Sequence, residues 1–202
     1  MRFQEHEWSC GAASVVNALK QFGVNVSERK VIPVAGTLSP AKCPYCVTVD
    51  ALIVSRKCKS PSYWKCACSK CKEIRREWRK DECISGTSEK GILTALRHLG
   101  GAYSLSAAEY QSESKNNAWQ WLHGSLIHGR VVILCVDSWM HWVLAYGGAG
   151  DRVLVFDPYP SKKNLKENGV ITMAKTELMR RWWNGQKWAG KDKRLYAISV
   201  GK

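Results

Sequence analysis

The feature that most constrains the fold is a change in hydrophobic period near residue 130 of the 202-residue chain. Before that point, apolar residues recur at the three- and four-residue spacing that is typical of helices. These helical segments begin at Cys10, at Thr87 or Ser88, and near Asn117. After it, short apolar runs rich in β-branched and aromatic residues indicate strands over 131–136, 142–146 and 153–156. Helices first and strands afterwards predict an α+β fold with an antiparallel sheet.

The rest of the chain fits one domain. A turn over residues 147–151 joins the second and third predicted strands, a helix is expected near 173–183, and a strand over 195–200 closes the fold. A length of 202 residues is enough for one sizeable core. We therefore predict a single domain over residues 1–202, interrupted by a cysteine-rich segment at 41–85.

The first seven residues contain three acidic or histidine positions where a secretion signal needs a basic start and an apolar run. The best apolar run, 131–136, is much shorter than the roughly 18 residues that suggest a membrane span. We expect a soluble, cytoplasmic protein.

Nine cysteines are unevenly distributed along the chain. Seven of them lie close together: Cys43, Cys46, Cys58, Cys66, Cys68, Cys71 and Cys83. In a reducing compartment such a cluster favours metal binding over disulfides. The spacing Cys-x2-Cys, typical of structural zinc sites, occurs twice. We therefore predict a zinc-binding insertion at 41–85 whose ligands are Cys43, Cys46, Cys68 and Cys71.

The other cysteines of the cluster leave the ligand set open. Cys66 or Cys83 could replace a member of the four, and Cys58 could join them in a second or shared site. An iron–sulfur cluster, a disulfide set and reduced thiols are the alternatives, although densely spaced exposed thiols are prone to oxidation. Cys135 lies in an apolar strand and is interpreted as a core residue.

The net charge of +14 comes from two segments. Residues 41–85 hold eleven Lys and Arg against five acids, and residues 161–202 hold eleven against three. Such a field favours nucleic acid, a membrane surface or an acidic protein as a partner, although a solvated charged face is an equally good explanation. Trp182, Trp183 and Trp188 could stack on bases, but helical spacing favours core packing for Trp182.

Cys10 is the candidate nucleophile because it lies at a predicted helix start. The unpaired backbone N–H groups and the dipole of a helix N-terminus favour the thiolate form of a cysteine. Of the five histidines, His141 begins a predicted strand, where a sheet can hold an imidazole rigidly against that helix. The others are less suitable: His6 is too close to Cys10 in sequence, and three lie on predicted helices, His98, His123 and His128.

Asp157 and Gln4 complete the predicted site. Two strands joined by a tight turn place the start of one beside the end of the next, so His141 and Asp157 become neighbours and the carboxylate can orient the imidazole. Gln4 lies six residues before Cys10, and its amide and the Cys10 N–H could donate to an oxyanion. Structural alternatives are a core cysteine, a core histidine, a turn aspartate before Pro158 and a surface glutamine.

Three motifs occur in a fixed order: Gln4-x5-Cys10-Gly11-Ala12-Ala13, His141-Trp142-Val143-Leu144, and Val153-Leu154-Val155-Phe156-Asp157-Pro158. With Gly86-Thr87-Ser88 and the helix ending in Trp-Asn-Gly, this set resembles the double-glycine leader peptidases fused to bacteriocin exporters, in the papain-like clan. The resemblance covers nearly the whole chain except residues 41–85. It implies a papain-like fold, thiol catalysis without a cofactor, and cleavage after small residues, often a Gly-Gly pair.

Taken together, the residues and the resemblance predict a cysteine peptidase that hydrolyses a peptide or isopeptide bond in a peptide or protein substrate. Zinc is expected only as a structural ion in the insertion. The alternative is a zinc module that binds nucleic acid or protein on a catalytically retired peptidase fold.

Overall fold

The computed structural model describes residues 1–43, 47, 85–137, 139–183 and 195–202. Within these described residues, three helices precede the sheet: α1 (Cys10–Lys20), α2 (Glu28–Val34) and α3 (Glu89–Gly100). Short 3-10 turns follow α2 at Pro40–Lys42 and α3 at Gly101–Tyr103. The sequence predicts α1 and α3 but not α2, which is only seven residues long and contains Pro33.

The start of α3 shows why these segments become helical. Ser88 caps the helix, and its hydroxyl accepts a hydrogen bond from the Gly91 N–H at 3.1 Å. This bond satisfies one of the backbone donors that a helix start leaves unpaired. The predicted apolar positions Ile92 and Leu96 of the same helix are buried.

In the described part of the chain, six strands form one antiparallel sheet. The strands are β1 (Ser106–Ser112), β2 (Val131–Val136), β3 (His141–Ala149), β4 (Arg152–Phe156), β5 (Val170–Ala174) and β6 (Leu195–Gly201). Their order across the sheet is β1-β6-β2-β3-β4-β5. The prediction of mixed helices and an antiparallel sheet is confirmed.

The β3–β4 hairpin is longer than the sequence predicts. Its turn is only Gly150–Asp151, with Gly150 at φ +59°, so Gly147 and Gly148 belong to β3. The register between the strands shifts between Ala145 and Gly147, which marks a β-bulge. Gly147 and Gly148 therefore pair with β4, and only Gly150 lies in the turn.

Helices cover both faces of the sheet. α4 (Lys115–Ile127) precedes β2, the short α5 (Lys162–Lys166) precedes β5, and α6 (Lys175–Trp182) follows it. Alternate residues of β2 enter two different cores: Ile133 packs with α1 and α3, whereas Val132 and Leu134 pack with α4 and α6. Burial on both faces explains why β2 is apolar at every position.

The two strands that the sequence does not predict are the edges of the sheet. β1 has the sequence Ser-Ala-Ala-Glu-Tyr-Gln-Ser and is mostly exposed, so it lacks the apolar signal of a central strand. β5 ends at Ala174, and the helix predicted from about residue 173 begins only at Lys175. An edge strand pairs on one side only and needs less apolar surface, which explains why β1 is missed. β5, Val-Ile-Thr-Met-Ala, is an apolar run of only five residues, and the predicted helix overlaps its end.

The two ends of the cysteine-rich segment lie side by side. Leu38 and Gly86 form an isolated β-bridge with N–O distances of 2.9 and 2.8 Å. The chain therefore leaves the core after Leu38 and returns to it at Gly86, directly beside Leu38. Within the described residues, no helix is long and apolar enough to cross a membrane.

Candidate active site

Cys10 is the first residue of α1, directly after Ser9. The segment before it forms a tight turn, in which the Ser9 hydroxyl donates to the His6 carbonyl at 2.8 Å and accepts from the His6 N–H at 3.1 Å. At the first helical position the backbone N–H has no acceptor within the helix. The structure thus places the Cys10 thiol where the helix dipole favours a thiolate.

α1 is held close to the sheet at the residue after Cys10. A Cβ atom on Gly11 would lie 2.6 Å from the Thr87 Cβ and 3.1 Å from the Trp142 ring. Trp142 in turn donates its indole N–H to the Thr87 carbonyl at 3.1 Å. Because Trp142 follows His141 directly, this packing brings the start of α1 to the start of β3.

His141 and Asp157 form a short hydrogen bond. The distance from His141 Nε2 to Asp157 Oδ1 is 2.7 Å, and both side chains are largely buried. His141 begins β3 and Asp157 follows β4, as the hairpin prediction requires. Because Nε2 faces the carboxylate, Nδ1 is the ring nitrogen left for the Cys10 thiol.

The contacts of His141 favour its charged form. Burial lowers its pKa, but the hydrogen bonds to Asp157 and Cys10 outweigh burial and raise the pKa to about 10. Burial alone would raise the pKa of Asp157, yet the hydrogen bond and the charge of His141 hold it below its usual value. At neutral pH the pair is therefore an imidazolium and a carboxylate, and the thiol of Cys10 lies against a cation.

Backbone contacts fix the position of Asp157. Its N–H donates to the Gly169 carbonyl at 2.9 Å, and its Oδ1 accepts a second hydrogen bond, from the Tyr159 N–H at 3.1 Å. Gly169 has φ +75°, and a Cβ atom there would lie 2.3 Å from the Phe156 ring. The loop after β4 thus needs a glycine at this position.

Gln4 is buried beside the same loop. Its backbone N–H donates to the Pro158 carbonyl at 3.0 Å, and its side-chain Nε2 donates to the His6 carbonyl at 2.8 Å. One of the two Nε2 hydrogens is therefore used within the turn that precedes Cys10. The surface alternative for Gln4 is excluded, because the residue is only 7% exposed. Its role as an oxyanion donor stays a prediction.

The remaining histidines lie in the helices or in the turn before Cys10. His98 and His123 are in α3 and α4, and His128 ends α4, as predicted. His6 stacks on Trp8 with ring centroids 4.8 Å apart.

A cavity of about 460 Å³ opens beside the pair and is lined by His141, Asp157 and exposed side chains such as Met140 and Tyr159. The Tyr159 ring meets the His141 ring edge to face at 6.5 Å. This arrangement leaves space for a bound molecule next to His141.

Sequence reasoning misses two charged residues at this site. Arg181 of α6 lies 3.5 Å from Asp157 Oδ2 and forms an ion pair with Asp137 at 2.5 Å. Asp137 follows β2 as Asp157 follows β4, and this repeated position at a strand end is a signal that the sequence does contain. The position of Arg181 depends on how α6 packs on the sheet, and no sequence signal reveals it.

The predicted zinc ligands fall largely outside the described residues. Cys43 is buried directly after the 3-10 turn at Pro40–Lys42. Cys46, Cys68 and Cys71 lie outside the described residues, as do Cys58, Cys66 and Cys83. Among the residues that are described, no group of three or more His, Cys, Asp or Glu side chains could hold a metal ion. The zinc site stays a prediction.

The other sequence interpretations concern the core. Cys135 and Trp182 are buried, and the Trp182 indole donates to the Tyr196 carbonyl at 2.8 Å. Trp183 is partly buried, with the Lys115 ammonium 4.9 Å from its ring centroid. Trp188 lies outside the described residues. Core packing is therefore confirmed for Cys135 and Trp182.

Three solved structures with a similar fold are peptidases or peptidase domains. The peptidase domain of Streptococcus ComA, a bifunctional ABC transporter of a quorum-sensing pathway, has a TM-score of 0.51 at 14% identity, covering 99% of this chain and 94% of that one. A double-glycine-motif protease from an AMS/PCAT transporter, solved with its leader peptide, has a TM-score of 0.50 at 17% identity, covering 98% and 86%. A candidate C39-like peptidase from Bacillus anthracis has a TM-score of 0.55 at 12% identity, covering 100% and 94%.

At these identities the comparisons show the fold, and they confirm the resemblance to double-glycine peptidase domains. No protein-family model matches the chain. No curated protein sequence matches it either.

Proposed function

We propose that this protein is a cysteine peptidase in which Cys10 is the nucleophile, His141 the general base and acid, Asp157 the residue that orients His141, and Gln4 an oxyanion donor. The observation that carries the proposal is the 2.7 Å bond from His141 Nε2 to Asp157, which leaves Nδ1 for the Cys10 thiol at the start of α1. A thiolate beside an imidazolium is the reactive form of a catalytic cysteine.

In the first half of the reaction the Cys10 thiolate attacks the carbonyl carbon of the scissile bond. The carbonyl electrons move to oxygen, and the oxyanion accepts hydrogen bonds from the Gln4 amide and the Cys10 N–H. The C–N bond then breaks, and the His141 imidazolium gives its proton to the leaving amine. The product of this half is an acyl thioester on Cys10.

In the second half a water molecule hydrolyses the thioester. His141, now neutral, takes a proton from the water as its oxygen attacks the thioester carbon. The C–S bond breaks, the acid product leaves, and Cys10 returns as a thiolate beside the His141 imidazolium. Asp157 stays ionised throughout and keeps the imidazole in one orientation.

For the substrate we propose a peptide or protein with small residues such as glycine before the cleaved bond. The support is the fold shared with double-glycine peptidase domains, one of which was solved with its leader peptide. The same chemistry would cleave an isopeptide bond that ends in glycine. The substrate-binding surface, and not the group of Cys10, His141 and Asp157, would select between these bonds.

The first test measures alkylation of each cysteine by iodoacetamide across pH, with mass spectrometry to locate the label. We expect Cys10 to react rapidly below neutral pH in the wild type and to lose this reactivity in His141→Ala. His98→Ala is the matched control, because His98 is exposed on α3. Cleavage of peptides that contain Gly-Gly should show the same dependence on Cys10 and His141.

If Cys10 reacts no faster than an ordinary thiol in either protein, the peptidase proposal is wrong. The predicted alternative, a binding module on a retired peptidase fold, would then be tested next. Binding to nucleic acid that weakens with salt and survives Cys10→Ala would support that alternative.

A further inference from the structure

We propose that Arg181 is a positioning residue of the active site: held by Asp137, its guanidinium fixes the second carboxylate oxygen of Asp157 and so sets the orientation of His141. This inference rests on the proposed function, because it assigns Arg181 a role in the same catalytic group.

The two oxygens of Asp157 have different partners. Oδ1 accepts from His141 Nε2 at 2.7 Å and from the Tyr159 N–H at 3.1 Å. Oδ2 faces the Arg181 guanidinium at 3.5 Å. Two donors on one oxygen leave the carboxyl group able to tilt about that oxygen, whereas a contact on the second oxygen restricts the tilt.

Asp137 fixes Arg181 from the opposite side. Three contacts join the two side chains: Arg181 Nε lies 3.0 and 3.2 Å from the two carboxylate oxygens, and the terminal nitrogen lies 2.5 Å from Oδ2. A backbone hydrogen bond of 2.8 Å, from the Asp137 N–H to the Arg181 carbonyl, joins the same residues. Such a forked arrangement holds the planar guanidinium in one orientation.

The backbone of Asp137 is consistent with a constrained role. Its φ of +54° lies in the left-handed region that residues other than glycine rarely adopt. Asp137 is the residue directly after β2, and Arg181 lies in the last turn of α6. The pair therefore connects the end of a central strand to a helix, and Arg181 contacts Asp157 from that helix.

The charged groups around the cavity also favour a positioning role for Arg181. Arg181 is the cation that faces both Asp137 and Asp157, whereas Lys163, Glu7 and Glu177 also line the neighbouring cavity. His141 and Tyr159 are the other titratable groups there. The charge of Arg181 contributes to the lowered pKa of Asp157, and the hydrogen bond between His141 and Asp157 in turn raises the pKa of His141. Arg181 is thus linked to His141 through Asp157.

The test compares Arg181→Met with Arg180→Met, a matched control because Arg180 is the exposed neighbour in the same helix. The measurements are kcat/KM on a Gly-Gly peptide and the Cys10 alkylation rate, both across pH, with active-site titration and thermal unfolding. For Arg181→Met we expect kcat/KM to fall roughly 10- to 100-fold, the scale of a small misplacement of a catalytic group. The alkaline limb of the kcat/KM pH profile should also move to lower pH, because a loosened Asp157 stabilises the His141 imidazolium less.

Arg181→Lys should restore only part of the activity, since one ammonium group cannot bridge two carboxylates in fork geometry. Asp137→Asn is a second variant that leaves Arg181 in place but weakens its anchor, and we expect a smaller shift in the same direction. Arg180→Met should behave like the wild type.

A purely structural role would reduce the titratable fraction of active protein without moving the pH profile of the fraction that remains. That result in Arg181→Met, or in Asp137→Asn if Arg181→Met does not fold, would overturn the inference while the proposed function stands. If wild-type Cys10 shows no reactivity that depends on His141, the proposed function fails, and the inference fails with it.

Discussion

At the residue scale, the site depends on two charges that stabilise each other. The pKa of His141 rises to about 10 and that of Asp157 falls, although burial alone would shift both in the opposite direction. A buried charge without a partner is strongly unfavourable, so both groups stay ionised through their mutual 2.7 Å bond, the contact of His141 with Cys10, and the contacts of Asp157 with Tyr159 and Arg181. The same bond keeps a proton on His141, as its proposed role as an acid toward a leaving amine requires.

This coupling predicts how stability depends on pH. The raised pKa of His141 contributes stability that is fully present below 6.5 and is lost as the pH rises toward 10. The lowered pKa of Asp157 contributes stability that is present above 3.8 and is lost as the pH falls through the folded-state value. In Asp157→Asn, which removes the charge but keeps the shape, the contribution of Asp157 should be lost and that of His141 reduced, because Cys10 also raises the pKa of His141.

The measurement is the free energy of unfolding by denaturant for both proteins at a series of pH values. We expect the difference between wild type and Asp157→Asn to be largest between pH 4 and 6.5 and to shrink toward either extreme. Asp151→Asn, at the exposed turn of the same hairpin, is the control and should show no such profile. A difference that does not vary with pH would mean that Asp157 does not hold His141 charged.

Gln4 allows a second prediction at this scale. Its proposed partner exists only once the oxyanion has formed, so Gln4→Ala should lower kcat by roughly 10²- to 10³-fold while Cys10 still reacts with iodoacetamide. Single-turnover assays and alkylation rates on the same preparation measure both effects. Gln120→Ala, an exposed glutamine of α4, is the control. If the Gln4 variant loses alkylation as well as turnover, the residue supports the fold of the site and not the oxyanion.

At the scale of elements, the close packing of α1 on β3 brings Cys10, the proposed nucleophile, to His141, the proposed base. Gly11 is what permits the approach, and the Ser14 hydroxyl adds a hydrogen bond to the Trp142 carbonyl at 3.3 Å. Two helix–sheet contacts one turn apart fix both the distance and the rotation of α1. The Cys10 thiol can therefore reach His141 only if this packing is intact.

Gly11→Ala should push α1 away from Thr87 and Trp142, because the new Cβ would lie 2.6 Å from the Thr87 Cβ. We expect a loss of roughly 1–3 kcal/mol in stability, typical of overpacking, together with slower alkylation of Cys10. Gly124→Ala is the control: nothing lies within 4 Å of its added Cβ, and a helix gains about 0.5–1 kcal/mol from the change. Thermal unfolding and alkylation rates measure both. Unchanged reactivity in Gly11→Ala would show that the approach of α1 does not set the site.

The burial of each strand explains whether the sequence predicts it. β2 and β6 are buried at every position, so apolar runs reveal them. The edge strand β1 is mostly polar and exposed, and β5 is an apolar run of only five residues that adjoins the predicted helix. The His141–Asp157 contact can also be predicted, because a hairpin brings a strand start and a strand end together.

The contact of Arg181 with Asp137 and Asp157 cannot be predicted in this way. It joins α6 to the ends of two strands, and its partners are 44 residues away in one case and 24 in the other. Only the packing of α6 on the sheet sets that geometry. Local period and spacing carry no information about it, since α6 could rotate without any change in its pattern.

At the scale of the whole molecule, the site draws on both faces of the sheet. Cys10 comes from α1 on one face, Arg181 comes from α6 on the other, and His141 and Asp157 come from the sheet. The catalytic group therefore requires both cores. The segment between Leu38 and Gly86 contributes none of these four residues, and its two ends already pair with each other.

This arrangement predicts that the segment can be removed without loss of the fold. We expect a variant in which a flexible Gly/Ser linker replaces residues 44–84 to unfold cooperatively and to keep the His141-dependent alkylation of Cys10, because the Leu38–Gly86 bridge already brings the linker ends together. The full chain should bind zinc, as the two Cys-x2-Cys pairs predict, and the variant should bind none. Metal analysis after extensive dialysis, alkylation and cleavage of full-length substrates measure these properties on the two proteins side by side.

The decisive comparison is between small and large substrates. If the segment recognises substrate or partner, the variant should cleave a short Gly-Gly peptide as well as the full chain does and cleave a protein substrate more slowly. An equal loss of cleavage activity on both substrates would instead mean that the segment contributes to the active site. Failure of the variant to fold, with zinc removal by a chelator also unfolding the full chain, would make the segment part of the structural core, since metal binding would then supply folding free energy to the whole domain.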